Sequence, residues 1–452
     1  MQYKYNCGGV IFTILKHLGC GAVVLLALIS MYKTTQCLIG TAMVTATIGV
    51  RQGSPTSCLL FVLYVNDLIK LFKERCGPEG FLAWLHLLVF MDDTVILSTS
   101  RNGAHVKLSL LKEFCYTHGM IVNSTKNKCI VINGKDKDKQ NLTVDDMCVK
   151  RCSHYVYLGS PFSDAGSTSN SIKVNANIRM CQALKFVSFC KKNNDVPFIV
   201  KKKIFHAAVM SSLLYGCESW LDGDIKPMEN LYNMCIKHLL GVRKTTNTNL
   251  CMIELGFPPL KALVKKRQMK FFKSMWTERR HMNDDPLNLM LQVVMGSNIS
   301  TGKNIKKLLE SEDHFISEAM NKIIQHTNTS DSSKCLYYKV VNPDMQVHDI
   351  YNINYKINEL ERISWTKLRL SSHSLAIETG RWNRRGRGRL PLDQRLCQCG
   401  QVQTERHVLE ECAMSQHIRD LYSLTSLENL LLERDDYTNV CHEVHNIFNS
   451  YK

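Results

Sequence analysis

Two continuous apolar runs, Leu85 to Phe90 and Val95 to Leu97, flank Met91-Asp92-Asp93, and no other feature limits the fold as narrowly. Runs this short suit strands better than helices. The pattern predicts an antiparallel hairpin over 81 to 98, with both strands buried and Asp92 and Asp93 at a tight turn. Two carboxylates in such a place are costly unless a cation neutralises them or water reaches them. An Asp pair on a rigid hairpin can supply part of a divalent-metal site. A solvated hairpin tip has the same sequence, so the pair alone leaves both readings open.

Helical patterns surround this hairpin. Residues 9 to 32 read as helix, Gly49 to Pro55 as a glycine-punctuated turn, and the chain through Leu59, Leu60, Leu63 and Leu68 as a second apolar helix. Residues 104 to 118 are again helical, Cys129 to Ile132 reads as a short strand and Lys135 to Lys139 as an exposed turn. Helices beside a few antiparallel strands predict an α+β fold. After Tyr157-Leu158-Gly159 the chain turns helical. Met228, Leu231, Tyr232, Cys235, Ile236, Leu239 and Leu240 keep the spacing of one buried helix face. Gly296 to Lys303 and His326 to Lys334 read as linkers, and Asp349 to Leu370 as helix.

The chain carries 57 Lys and Arg against 40 Asp and Glu, a formal net charge of +17. That excess favours a polyanionic partner, nucleic acid or an anionic membrane surface. The apolar run Cys20 to Met31 is too short to span a bilayer and is followed at once by Lys33, so it reads as a buried helix rather than a signal or anchor. Most of the 19 cysteines, such as Cys58, Cys115, Cys129 and Cys235, sit singly in hydrophobic stretches where a reduced thiol packs as a small apolar group. The expectation is an intracellular protein, nuclear or cytoplasmic, not secreted and without a membrane partner.

The segment Gly49-Val50-Arg51-Gln52-Gly53-Ser54-Pro55-Thr56-Ser57 precedes the Asp pair. Here Gly53 permits close backbone approach to a ligand, Arg51 can meet phosphate and Pro55 can begin a helix. Gly119-Met120-Ile121-Val122-Asn123 with Lys126, and then Tyr157-Leu158-Gly159, follow it. These four segments, in this order, resemble the reverse transcriptases of LINE-type, non-LTR retrotransposons. Leu214-Tyr215-Gly216-Cys217-Glu218-Ser219-Trp220 and Glu254-Leu255-Gly256-Phe257-Pro258-Pro259-Leu260 resemble the thumb of those enzymes. The resemblance implies Asp92 and Asp93 as catalytic Mg2+ ligands, Lys126 facing the incoming nucleotide, and Arg51, Gln52 and Gly53 positioning nucleotide or template. It also implies an RNA template, a DNA primer and deoxynucleotides as partners.

One departure bears directly on activity. The family places a further metal-binding Asp upstream of the glycine-rich segment, and here no acidic residue precedes Asp67. The expectation is a palm cut short at its amino end, with the first Asp and the finger region outside it, and a polymerase impaired by that loss. The alternative is a nucleic-acid-binding remnant without turnover. Asn127, where the family usually has a hydroxyl residue, is a smaller departure.

Near the carboxy end, Cys397, Cys399, His407 and Cys412 follow the spacing C-x-C-x7-H-x4-C, a possible closed set of zinc ligands, and Gly400 eases the turn between the first two. The spacing alone leaves zinc open. LINE-type proteins carry a knuckle of this kind, and the resemblance implies Zn2+ here. The preceding run, with Arg384, Arg385, Arg387 and Arg389, is either a solvated face or a contact to phosphates and bases. Four parts are expected: a partial palm over 1–165, its antiparallel sheet with helices on one side; a helical thumb-like region over 166–265; a helical connector over 266–380; and the basic segment with its zinc-knuckle unit over 381–452.

Overall fold

In the computed structural model the described residues are 2–3, 8–33, 35–46, 54–79, 85–123, 126–135, 138–279, 285–351, 357–381, 388–422, 426–432 and 437–451. The chain divides into two compact units. The first holds residues 1–155, 162–166 and 284–290, and the second holds 156–161, 167–283 and 291–452.

The first unit mixes helices with small sheets. Pro55 opens the helix Pro55–Arg75, where its missing N–H costs nothing because the first-turn amides have no helical acceptor. Leu60, Phe61, Tyr64, Val65, Leu68 and Phe72 recur every three or four residues and are buried against Leu87, Leu110, Leu111 and Phe114. Leu59, in the same apolar run, is exposed, because the buried stripe begins one residue further on. The expected helix over 9 to 32 is two helices, Gly8–His17 and Ala22–Lys33, broken where Gly19 takes a positive φ. The second was expected to be buried, yet Val23, Val24 and Leu26 are exposed, because the core takes only its Leu25, Leu28 and Tyr32 side.

The acidic hairpin forms as Leu87–Phe90 paired antiparallel with Asp93–Ile96. Its strands are not buried on both faces. Leu87 is buried while Leu88 and Phe90 are exposed, as a two-stranded ribbon packed by one side requires. Nor do the strands build one continuous sheet: among the described residues they form four two-stranded sheets and one three-stranded sheet. In the latter, Met147–Arg151 lies between Lys128–Cys129, parallel, and Leu142–Val144, antiparallel.

The second unit is helical around one core. All seven residues expected on a single face are buried on the helix Lys226–Leu240. They pack with residues from Ile172 on the helix Thr168–Lys192 to Phe448 on the helix Tyr437–Ser450. Both expected linkers are largely helical: Ser300–Glu310 enters the first, and Phe315–Thr329 with Ser333–Val341 leaves only a short break in the second. Polar composition misled there because these helices are amphipathic, burying Ile305, Leu308, Ile323 and Cys335. Among the described residues no helix is long and apolar enough to cross a membrane.

Candidate active site and metal centre

Met91 and Asp92 form the two-residue turn of the acidic hairpin, with Phe90 opposite Asp93. Met91 adopts a positive φ of 52°, which closes the turn and leaves Asp92 and Asp93 exposed side by side at the tip. Cys58, in the first turn of the helix that follows the glycine-rich segment, places its Sγ 3.8 Å from Met91 Sδ. Arg51, Gln52 and Gly53 themselves lie outside the described residues, and with them the expected close approach of the Gly53 backbone to a ligand. Cys58 was expected to be a packed thiol and is exposed. Cys115 and Cys235 are buried, which pushes their thiols up to about 11 and about 12.

A partly buried ion pair anchors the returning strand. Lys107, 2% exposed, donates to the Leu97 carbonyl at 2.6 Å and pairs with the Glu79 carboxylate. Glu79 also accepts from Ser98 Oγ at 2.7 Å and from the Thr99 amide at 2.9 Å. Burial works to raise the Glu79 pKa, but the bonds from Lys107, Ser98 and Thr99 outweigh it and bring it down to about 2. Sequence reading missed this pair.

Lys126 is exposed beside the strand Lys128–Cys129, its amide donating to Asn123 Oδ1 at 3.4 Å. Asp67 pairs with Lys70 on its own helix at 2.9 Å. Among the described residues no further acidic, His or Cys side chain joins Asp92 and Asp93 in a metal-sized group. The pair offers carboxylate oxygens, the right donors for Mg2+, but only part of a two-ion site.

In the second unit Leu158 and Gly159 take positive φ in the turn after His154–Tyr157. Tyr215 donates its hydroxyl to the Leu158 carbonyl at 2.6 Å, and Arg179 donates to the Gly159 carbonyl at 3.1 Å. Within the other thumb-like motif, Glu254 is fully buried. It accepts from Arg369 Nε at 2.5 Å, Tyr338 at 2.6 Å and Tyr351 at 3.1 Å. Burial opposes its charge, and Arg369 nonetheless holds its carboxyl below the usual range. Tyr351 also meets Thr366 at 2.9 Å, Thr366 accepts from Arg362 at 2.9 Å, and Arg362 and Lys201 both bond Glu359.

Cys397, Cys399, His407 and Cys412 converge, each offering a ligand atom within 4.8 Å of the others. Sγ of Cys412 lies 3.7 Å from that of Cys397 and 3.8 Å from that of Cys399, and Cys399 Sγ lies 3.1 Å from His407 Nε2. A tetrahedral zinc ion at about 2.0 to 2.3 Å from each ligand requires ligand separations of about 3.3 to 3.8 Å; the two sulfur–sulfur distances meet this, and the Cys399–His407 pair would open by a few tenths of an ångström to admit the ion. Gly400, at φ 89°, closes the turn as expected, its amide donating to the Cys397 carbonyl at 3.0 Å. His407 and Cys412 flank a single wide helical turn, His407–Glu411. Glu411, 3.5 Å from His407 Nδ1, can orient the ring for a metal on Nε2. Burial opposes ionisation of Cys412, but bonds from Tyr451 and the Met414 amide, with Cys397 and Cys399, bring its thiol down to about 7. Of the basic run, Arg389 is exposed; Arg384, Arg385 and Arg387 lie outside the described residues.

Residues 23–162 match the reverse transcriptase (RNA-dependent DNA polymerase) family, and that span contains the Asp hairpin, Lys126 and the glycine-rich segment. The resemblance to LINE-type reverse transcriptases therefore stands over this segment. More particularly, the chain is similar to the retrovirus-related Pol polyprotein from type-2 retrotransposable element R2DM of Drosophila melanogaster, 29% identical over 26% of this chain and 12% of the relative. It is likewise similar to that from type-1 retrotransposable element R2 of Nasonia vitripennis, 26% identical over 30% of this chain and 14% of the relative. The matched stretch is thus a small share of each relative's length.

Proposed function

We propose that the chain serves RNA-directed DNA synthesis of the retrotransposon type, binding an RNA template and a DNA primer, with an impaired catalytic centre. The adjacent exposed carboxylates of Asp92 and Asp93 at the hairpin tip, inside the matched segment, carry this reading. When bound, divalent ions would neutralise the phosphates and lower the pKa of the attacking hydroxyl. The chain's own part is to hold two carboxylates on an anchored hairpin and to offer cations, Lys126 and the Arg51 segment, to phosphate. The division into palm, thumb-like region, connector and knuckle unit belongs to this reading as a division of roles.

Phosphoryl transfer rests almost wholly on positioning and electrostatics, so a missing metal ligand costs several orders of magnitude in rate. One observation favours impairment: no third carboxylate joins the pair among the described residues. We expect the chain to bind a primed RNA template and to extend it poorly or not at all. Primer extension with Mg2+ and deoxynucleotides tests this. Robust extension, abolished by Asp93→Ala, would show that another carboxylate completes the site.

A further inference from the structure

We infer that a basic cavity in the second unit binds a phosphate of a single-stranded polynucleotide backbone. The inference rests on the nucleic-acid reading above and adds a site to it. The cavity, of about 560 Å³, is lined by Ser333, Lys334, Glu378, Arg381, Arg389 and Arg395 among others. Four cations face one carboxylate, so three positive charges are left over. Glu378 is fully buried, with Lys334 Nζ at 3.0 Å and Arg381 Nε at 3.2 Å, and its single charge is shared between them.

Arg395 donates to the carbonyls of Leu390 and Ile377, which hold its guanidinium in place but carry no net charge to cancel it. Its stem lies on Gly380, where a Cβ would come within 2.6 Å of Arg395 Cγ. Arg381 Nη1 donates to Ser333 Oγ at 2.7 Å. Ser333 and Lys334 open the helix Ser333–Val341, so its positive end adds to the same field. Arg389 lines the cavity yet makes no hydrogen bond or ion pair with a described residue. Fixed donors around an uncancelled positive charge suit a phosphate oxyanion.

The test uses the full chain, a labelled single-stranded RNA, a series of salt concentrations and pyrophosphate as competitor. Arg389→Ala should weaken binding and lower the slope of log affinity against log salt by about one, and Arg389→Lys should restore the slope. Gly380→Ala, which displaces Arg395 without changing charge, should also weaken binding. Unaltered affinity and slope in Arg389→Ala would overturn the site. Pyrophosphate binding that Arg389→Ala abolishes, with RNA binding unchanged, would overturn the polynucleotide assignment in favour of a free phosphate. If the wild-type chain bound no RNA at any salt, the underlying nucleic-acid reading would fall instead, and the two failures are distinct.

Discussion

Lys107 holds the far end of the strand that begins at Asp93. Its ammonium, with Glu79, ties the end of the returning strand to the helix Arg101–Thr117. Removing one member of such a pair leaves the other charged and poorly solvated. Lys107→Met should therefore lower stability by about 3 kcal/mol, the low end for a broken buried pair because Glu79 keeps some access to water. A denaturant double-mutant cycle with Glu79→Gln checks it, and a coupling near zero would refute it. The folded-state pKa of Glu79 is depressed from 4.5 to about 2. Its contribution is therefore complete above about pH 4.5 and is lost as pH falls through that window. Asp92 and Asp93 were legible because two apolar runs stop at them. Glu79 and Lys107 were not, since they lie far apart in sequence and only the fold brings them together.

At the scale of elements, the Cys/His turn was the most legible. Four ligand residues within sixteen positions leave the backbone few ways to arrange them, and the left-handed Gly400 is the one the spacing demands. The full chain should bind one zinc ion, measured by metal analysis of purified protein, and Cys399→Ser or His407→Ala should lose most of it. Chelator should also lower the thermal transition, because Val408 and Leu409, between the ligands, are part of the main core. A transition unmoved by chelator in protein shown to have lost its metal would mean the cluster holds none of the fold together. The helix Ala22–Lys33 was misread because its run of apolar residues has no polar side. Composition then gives no sign of which face the core will take, and the structure buries only one.

Across the whole chain, the buried polar network is the feature that sequence reading could not supply. Glu254 stands in a recognisable motif, but its partners Arg369, Tyr338 and Tyr351 come from distant helices with no pattern linking them. Arg369→Met should destabilise the second unit by about 3 to 5 kcal/mol, because it leaves the buried Glu254 carboxylate without its cation. Glu254→Gln in the same background should recover part of that loss. Equilibrium unfolding of the two variants and their combination decides it, and strictly additive losses would rule out the coupling. The fold class and the hairpin followed from local pattern, whereas the network depends on contacts between helices far apart in sequence.

That network also limits where the chain could be cut and rejoined to another. Lys201, Glu254, Glu359, Arg362 and Arg369 form linked ion pairs and hydrogen bonds whose members lie on both sides of residue 265. A recombination event there would join a buried cation or carboxylate to a stranger's helix. Whatever roles residues 166–265 and 266–380 take, a cut between them strands buried charges on both sides.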